Sequence, residues 1–437
     1  MPPSLSLSFG RRSQSDVVGL DIQPGLVAAV QARVNGGFIA ERAVALPLPA
    51  DAVREGDVVD ADELTGTLRR LFQGSHLDKR VRVGVANQRT VMRTLELPPM
   101  DDAKELAAAV RFQAQDQVPM PLANAVLDFH PLGVVETPAG PRQKVVLVAA
   151  QRDMVERLLT AVRGAGLTPV GVDMSAFALI RSLYRSDADH TGRVLYLNVD
   201  GLTNVAIAEG TVCHFTRVLG GGIEEMVSQL AERRGIPLER ARGLLADVDL
   251  ASGPGEATAP ADSDDDAGAE GERLATVDPA ELERAEGSTP ERAEQSTPVW
   301  APEAGAERDQ PEHFESHHVA EPAGQPEMFS EELMPIDGPS AAEEARVVLE
   351  NGVRAIAGEV RNSLDFHRSQ EGGADVARVV LSGAALDLHG FPEALQAALG
   401  VQVDGETVGV ADGGMLRGAS AHRLAVATGL TRAEVPG

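Results

Sequence analysis

A three-strand unit occurs twice in this chain, and that recurrence limits the possible folds more than any other feature. The second copy spans residues 194–226, VLYLNVDGLTNVAIAEGTVCHFTRVLGGGIEEM. Residues 194–199 and 203–208 are rich in β-branched and apolar side chains, with Asp200-Gly201 between them as a hairpin signal. Glu209-Gly210 marks a second turn, and Gly220, Gly221 and Gly222 precede a helical pattern starting near Ile223. The first copy, residues 17–30 (VVGLDIQPGLVAAV), continues through Asn35-Gly36-Gly37 to a third β-like run at 38–44. Asp21 matches Asn198, Gly25-Leu26 matches Gly201-Leu202, and the turn at 35–37 matches Glu209-Gly210. Such a repeat predicts two related α/β domains facing each other, with both hairpin tips pointing into one cleft. Glycine turns and a helix N-terminus offer backbone N–H groups to an anion, so phosphates gripped from both sides are one reading. Turns that only join strands are the other.

The 437 residues leave room for two or three domains with large cores. The formal charge of −27 is not spread evenly. Residues 247–340 hold 25 Asp and Glu against 4 Arg and no Lys, so this segment carries most of the acidity. It includes the near-repeat ERAEGSTP–ERAEQSTP and has almost no aliphatic stripe. It cannot bury enough apolar surface to offset chain entropy, which predicts a disordered acidic insert. His313, His317 and His318 lie within it, without the fixed geometry a metal site needs. The near-neutral remainder has no basic stripe, and the chain has one Trp and two Tyr, which argues against nucleic acid. Cys213 is the only cysteine and sits mid-strand, where a small buried apolar role outweighs a reactive one; no internal disulfide can form. Residues 1–15 read as a flexible tail without the apolar core of a signal peptide. No run approaches the roughly 20 apolar residues that span a bilayer. The expectation is a cytoplasmic protein that reaches a membrane only through a partner.

Between the two units the pattern alternates. Residues 60–72 predict a helix capped by Asp60 or Asp62, and 81–86 and 91–97 predict strands. Asp101-Asp102 opens a helix over 103–117 that Pro119 and Pro121 terminate. Residues 122–132 and 144–150 read as extended, 153–164 as a helix, 167–172 as extended and 174–184 as a helix. Two short helices follow at 223–234 and 238–245. Beyond the acidic segment, 347–366 forms a long amphipathic helix and 377–382 a buried strand ending in Ser382-Gly383-Ala384-Ala385. Residues 391–399 read as a helix, 401–403 as an edge strand, and the Ala-rich 415–428 as helical. The whole is a mixed α/β chain.

This order of parts resembles the actin-like, ribonuclease H-like ATPase fold. More narrowly, the chain resembles the PilM family of type IV pilus assembly proteins, relatives of the cell-division protein FtsA. The stretches VVGLDI, AAAVRFQAQDQVPMPLANAVLDF, FTRVLGGGIEEM, EVRNSLDFH and VVLSGAA carry the resemblance. It implies a duplicated two-domain fold. The first domain would cover 16–190, with a small inserted subdomain near 80–150, and the second 191–246 plus 341–437, with 247–340 as the insert. It implies ATP and Mg²⁺ between the domains. By position Asp21 would be the first carboxylate, contacting the phosphates through Mg²⁺, with Gln23 and Gly25 in the same loop. Asn198 falls at the second carboxylate, and Thr203 and Asn204 in the second hairpin. Gly220, Gly221 and Gly222 would lie beside the nucleotide, Glu225 at the ribose, and Gly383 and Ala384 at the adenine.

The resemblance also implies a partner, the N-terminal cytoplasmic peptide of an inner-membrane PilN-like protein. Its groove would lie between the first domain and the inserted subdomain, walled by Leu95, Leu97, Phe112, Val118, Pro119 and Met120. A pilus motor ATPase and further copies of the chain are other implied contacts. The phosphate loops depart from the family pattern. The first normally reads Asp-Ile-Gly followed by small hydroxyl residues and a nearby Lys. Here it reads Asp21-Ile22-Gln23-Pro24-Gly25, with Ala28 at the Lys position. Pro24 lacks an N–H donor, and Asn198 removes a negative charge from the metal shell. These changes predict weakened triphosphate binding in a degenerate cleft and a scaffold rather than a turnover enzyme. The alternative is an active ATPase or small-molecule kinase, for which Asp173 or Asp200 would be the base by position. An FtsA-like membrane filament would need a basic C-terminal amphipathic helix, but residues 424–437 carry only Arg432.

Overall fold

The computed structural model describes residues 17–34, 37–49, 51–185, 192–251, 340–370, 372–418 and 420–433. The tail at 1–15, Asn35-Gly36 of the first turn, and the acidic segment from 252 to 339, with His313, His317 and His318, lie outside the described residues.

The chain opens with a meander, β1 (Val18–Gln23), β2 (Leu26–Val34) and β3 (Phe38–Pro47), paired antiparallel in sequence order. A small ribbon, β4 (Val53–Arg54) and β5 (Asp57–Val58), leads into helix α1 (Ala61–Phe72). Asp60 caps that helix by accepting from the amides of Asp62 and Glu63 at 3.0 and 2.9 Å. Strand β6 (Arg80–Val85) then lies parallel to β1.

At this point the chain leaves the first sheet. Strand β7 (Val91–Leu97), helix α2 (Ala103–Gln117), β8 (Ala125–Thr137) and β9 (Gly140–Gln151) form a separate unit with strand order β7-β9-β8. Asp102 caps α2, and α2 lays Leu106, Val110 and Ala114 onto Val145, Leu147 and Ala149. Helix α3 (Arg152–Gly164) returns the chain to the first sheet, where β10 (Thr168–Met174) pairs parallel to β6.

After helix α4 (Ser175–Leu183) the plan repeats. Strands β11 (Arg193–Val199), β12 (Thr203–Glu209) and β13 (Val212–Leu219) form a second antiparallel meander, followed by α5 (Ile223–Arg234) and α6 (Leu238–Ala246). The long α7 (Ala341–Ser369), opened by a Ser340–Glu343 capping box, leads to β14 (Val376–Ser382), which is parallel to β11. Helix α8 (Phe391–Leu399) and β15 (Val403–Gly405), parallel to β14, complete the sheet. The first sheet therefore runs β10-β6-β1-β2-β3 and the second β15-β14-β11-β12-β13. Both have an antiparallel meander continued by two parallel strands. The duplication first visible in two hairpins extends to whole sheets.

The C-terminal stretch differs from the expected helix. Residues Gly409–Arg417 form a strand, β16, parallel to β3 at the edge of the first sheet, and only Ala425–Leu430 form a helix, α9. The Ala- and Gly-rich sequence favours neither state strongly; the unpaired edge of β3 supplies hydrogen-bond partners that a local reading does not show. Residues 341–437 consequently divide between the two halves. Likewise β6 belongs to the first sheet, so the inserted sheet and its helix run from β7 to β9.

Helices α4 and α9 pack between the two sheets, in a core shared by Leu26, Ala28 and Ala45 of the first half and Tyr196, Ala206 and Val380 of the second. Their contact depends on missing side chains. A Cβ on Gly429 would collide with the Ala178 carbonyl, and one on Gly19 with that of Ala427.

Candidate functional site

The hairpin tips meet at the interdomain cleft. The first tip is a two-residue turn, Pro24-Gly25, closed by the Gln23–Leu26 pair. The second is one residue longer, with Asp200, Gly201 and Leu202 between Val199 and Thr203. Gly201 lies so close to the first tip that a Cβ there would overlap the Pro24 carbonyl oxygen. Gly25 takes φ +79°, and the Glu224 side chain from α5 covers its open face, with Cδ 2.6 Å from where a Cβ would stand. Gly222, the N-cap of α5, is pressed against the Asp200 carbonyl, which accepts from Ile223 N at 2.8 Å. The Glu225 carboxylate lies against Gly221, whose carbonyl accepts from the Thr203 hydroxyl at 2.9 Å. Gln88, in the loop after β6, reaches Gly220. Gly383 folds over the Val199 backbone, beside Ala384. The structure thus gathers Asp21, Gln23, Gly25, Asn198, Thr203, Asn204, the glycine triplet and Gly383 around the joint between the two halves.

The polar groups are paired with one another. Asp21 is 3% exposed and accepts from Gln23 Nε2 at 2.5 Å. Burial pushes its pKa up to about 7; Gln23 pulls it down, and neighbouring Asp200 pushes it further up. Asp200 is fully buried and grips Arg423 in a bidentate pair, with Nε–Oδ2 3.1 Å and a terminal nitrogen to Oδ1 2.5 Å. Burial works against the Arg423 charge, but Asp200 outweighs it and holds the guanidinium above its usual range. Asp387 accepts from Ser420 Oγ at 2.9 Å and lies 2.5 Å from His422 Nε2. Burial opposes its charge, yet these two bonds hold it below the usual carboxylate range. Glu224 is held by both terminal nitrogens of Arg242 at 2.5 and 2.8 Å.

Asn198, at the second-carboxylate position, accepts from the Ser382 hydroxyl at 2.9 Å, while its Nδ2 and both amide atoms of Asn204, its cross-strand neighbour, have no protein partner. The buried carboxylate of the second half is thus Asp200, two residues further on. Arg423, Glu224, Arg242 and Asp387 escaped the sequence reading. Among them only Arg423, isolated in the Ala-rich AHRLAVATG, carried a local signal.

These residues do not fit Mg²⁺ with a triphosphate. Phosphates between the hairpins would have to part the Gly201–Pro24 contact, and they would face the Glu224 carboxylate, with no N–H from Pro24. Among the described residues no group of three or more His, Cys, Asp or Glu is placed to hold a metal ion.

A second concavity opens between the first sheet and the inserted subdomain, with a volume of about 230 Å³. Alternation on β9 decides which residues face it. Val145, Leu147 and Ala149 point at α2, while Val146, Val148 and Ala150 point into the cavity. Val126 and Asp128 of β8 and Val170 and Val172 of β10 complete its walls, with Phe177 of α4. Burial pushes the Asp128 pKa up to about 6. Asp173, also in the lining, is paired with Arg181. The six residues expected to wall a peptide groove lie elsewhere. Leu95, Leu97 and Val118 are buried in the subdomain's own core, with Met120 packed against it. Phe112 is 70% exposed on α2, and Pro119 is exposed just beyond that helix. The lining residues sit on opposite strand faces from Leu95 and Leu97, a distinction that depends on which way the insert docks. Cys213 is buried in the shared core, which pushes its pKa up to about 12.

Two meander-plus-parallel sheets with paired hairpins across a cleft define the actin-like ATPase class of folds. The model of the family "Type IV pilus assembly protein PilM" matches residues 19–242, and the chain belongs to that family. Among solved structures, the chain is similar to one described as a PilM–PilN type IV pilus biogenesis complex. They share 20% identity and a TM-score of 0.64, covering 96% of this chain and 98% of that one. The ethanolamine utilization protein EutJ from Carboxydothermus hydrogenoformans is 14% identical, with a TM-score of 0.45 over 95% of this chain and 88% of that one. MreB5 of Spiroplasma citri bound to AMPPNP is 11% identical, with a TM-score of 0.44 over 94% of each chain.

Proposed function

We propose that this chain is a cytoplasmic platform protein of a type IV pilus that holds the N-terminal cytoplasmic peptide of an inner-membrane PilN-like protein. The observation that carries the reading is the apolar cavity between the first sheet and the insert. It is flanked by β10, the end strand of its sheet, and by β8, the end strand of the inserted sheet. An extended peptide can take main-chain hydrogen bonds from such an edge while its apolar side chains enter the pocket. Family membership and the similarity to a PilM–PilN complex support the same partner. No helix among the described residues is long and apolar enough to cross a membrane, and in this reading the partner supplies the membrane attachment. A pilus motor ATPase and further copies of the chain are its other candidate contacts. The kinase alternative draws less support, because Asp173 and Asp200 are both committed to arginines and neither is free to act as a general base.

The test is calorimetric titration of the full chain with a synthetic peptide covering the N-terminal cytoplasmic segment of the PilN-like protein. Val148→Arg, which places a charge in the cavity, should weaken binding at least about tenfold, equal to about 1.4 kcal/mol. Phe112→Ala, on the far side of the insert, should leave it unchanged. Loss with Phe112→Ala but not with Val148→Arg would move the groove to the other face of the subdomain. No binding at all would overturn the reading.

A further inference from the structure

We infer that the interdomain cleft of this chain is a closed joint that takes no Mg·ATP, with Arg423 serving as the built-in counter-ion to the buried Asp200 carboxylate at its second hairpin tip. Three independent arrangements lead there.

The first is steric. The two hairpin tips are in backbone contact, Gly201 against the Pro24 carbonyl, and this contact exists only because Gly201 has no side chain. A ligand entering between the tips must first separate them.

The second is electrostatic. Glu224 covers Gly25 and is fixed there by the fork of Arg242. A carboxylate is thus anchored at the first hairpin turn, where an anionic ligand would meet like charge. Asp21 and Asp200 add two more buried carboxyl groups, and an ionised Asp200 needs a cation beside it. That cation is Arg423, bound through two nitrogens to Asp200.

The third concerns where Arg423 comes from. It sits in the 3-10 turn just before α9, on the chain segment that crosses back from the second half to pack between the sheets. The same turn is tied to the second half by Gly383 N donating to the His422 carbonyl at 3.0 Å, and by His422 and Ser420 on Asp387. The cation therefore belongs to a segment anchored in both halves, and removing it would mean unpacking α9. A mobile metal–nucleotide complex supplies its charge only while bound; here the charge is covalently part of the joint.

The inference is independent of the peptide reading, since it concerns a different cleft and different residues. Its test is titration of Mg·ATP, and separately Mg·ADP, into the purified full chain up to millimolar concentration, with melting curves in Mg·ATP and in EDTA. The expected result is no saturable heat and the same melting temperature in both solutions. Micromolar binding, or a melting temperature raised by several degrees in Mg·ATP, would overturn the inference. Coupling within the joint is read separately. Arg423→Met should lower the melting temperature, and Asp200→Leu combined with Arg423→Met should recover most of the loss, because the pair then leaves no orphaned charge. An Arg423→Met variant that melts like the wild type would show that the cleft is not held this way.

Discussion

The two halves share one strand plan but treat their buried carboxylates differently. In the first, Asp21 lies within strand β1, two residues short of its end, and its strongest contact is a neutral amide, Gln23. In the second, the matching strand position is Asn198, and the carboxylate has moved to Asp200 at the tip, where it is salt-bridged to Arg423. Burial pushes the pKa of both carboxyl groups up, but only Asp200 has an arginine bound to it against that effect. A fold fixes where backbone tips meet, whereas the side chains at those tips decide whether the meeting place is a ligand cradle or a seam.

The comparison is open to attack by substitution. Arg423→Met should have the largest effect, about 3–5 kcal/mol of stability lost at pH 7 in denaturant titration, because the buried Asp200 is left without its partner. Asp21→Asn should act in the opposite direction. The folded pKa of Asp21 is about 7 against an ordinary 3.8. The stability this group contributes is complete below pH 3.8 and gone once the pH rises past 7. Asp21→Asn should therefore stabilise the protein at pH 8, by up to about 4 kcal/mol, and make no such difference at pH 3.5. Melting curves at the two pH values would check this; a variant less stable than the wild type at pH 8 would assign Asp21 an ion-pair role like that of Asp200. Gly201→Ala should cost about 1–3 kcal/mol through overlap with the Pro24 carbonyl. A neutral result there would mean the tips are free to part. Gln23→Ala should cost least, about 1 kcal/mol, by removing one hydrogen bond to Asp21. If it matched Arg423→Met, the asymmetry between the halves would be lost.

Much of the architecture was legible in the sequence because it follows from local rules. The caps at Asp60 and Asp102, and the Pro119 stop, set helix boundaries by chemistry within a few residues. The repeated hairpins revealed the duplication because alternating apolar strands around glycine turns keep their pattern in both copies. The sequence brings the two hairpin tips to one cleft, where the structure has Gly201 against Pro24, but the electrostatics there are only half readable. Pro24 and Asn198 signal departures from a phosphate site on their own, whereas the Asp200–Arg423 pair joins residues on separate elements and has no spacing signature. Of the expected groove residues, Leu95, Leu97 and Val118 serve the subdomain's own core, whereas Phe112 and Pro119 are exposed. Leu95 and Leu97 close the core under α2, and the cavity is lined by the other face of the same inserted sheet.

The sequence by itself determined most strands and helices of both halves and the hairpin tips with Pro24 and Asn198 near them, since each depends on side chains that are near neighbours in the chain. Only the tertiary structure decided that residues Gly409–Arg417 would extend the first sheet, that the Gly201 and Pro24 backbones would touch, and that Arg423 would meet Asp200. Those outcomes rest on partners brought together from distant parts of the chain. A free strand edge, a missing Cβ and a buried countercharge gain their value only after the surrounding core has excluded water.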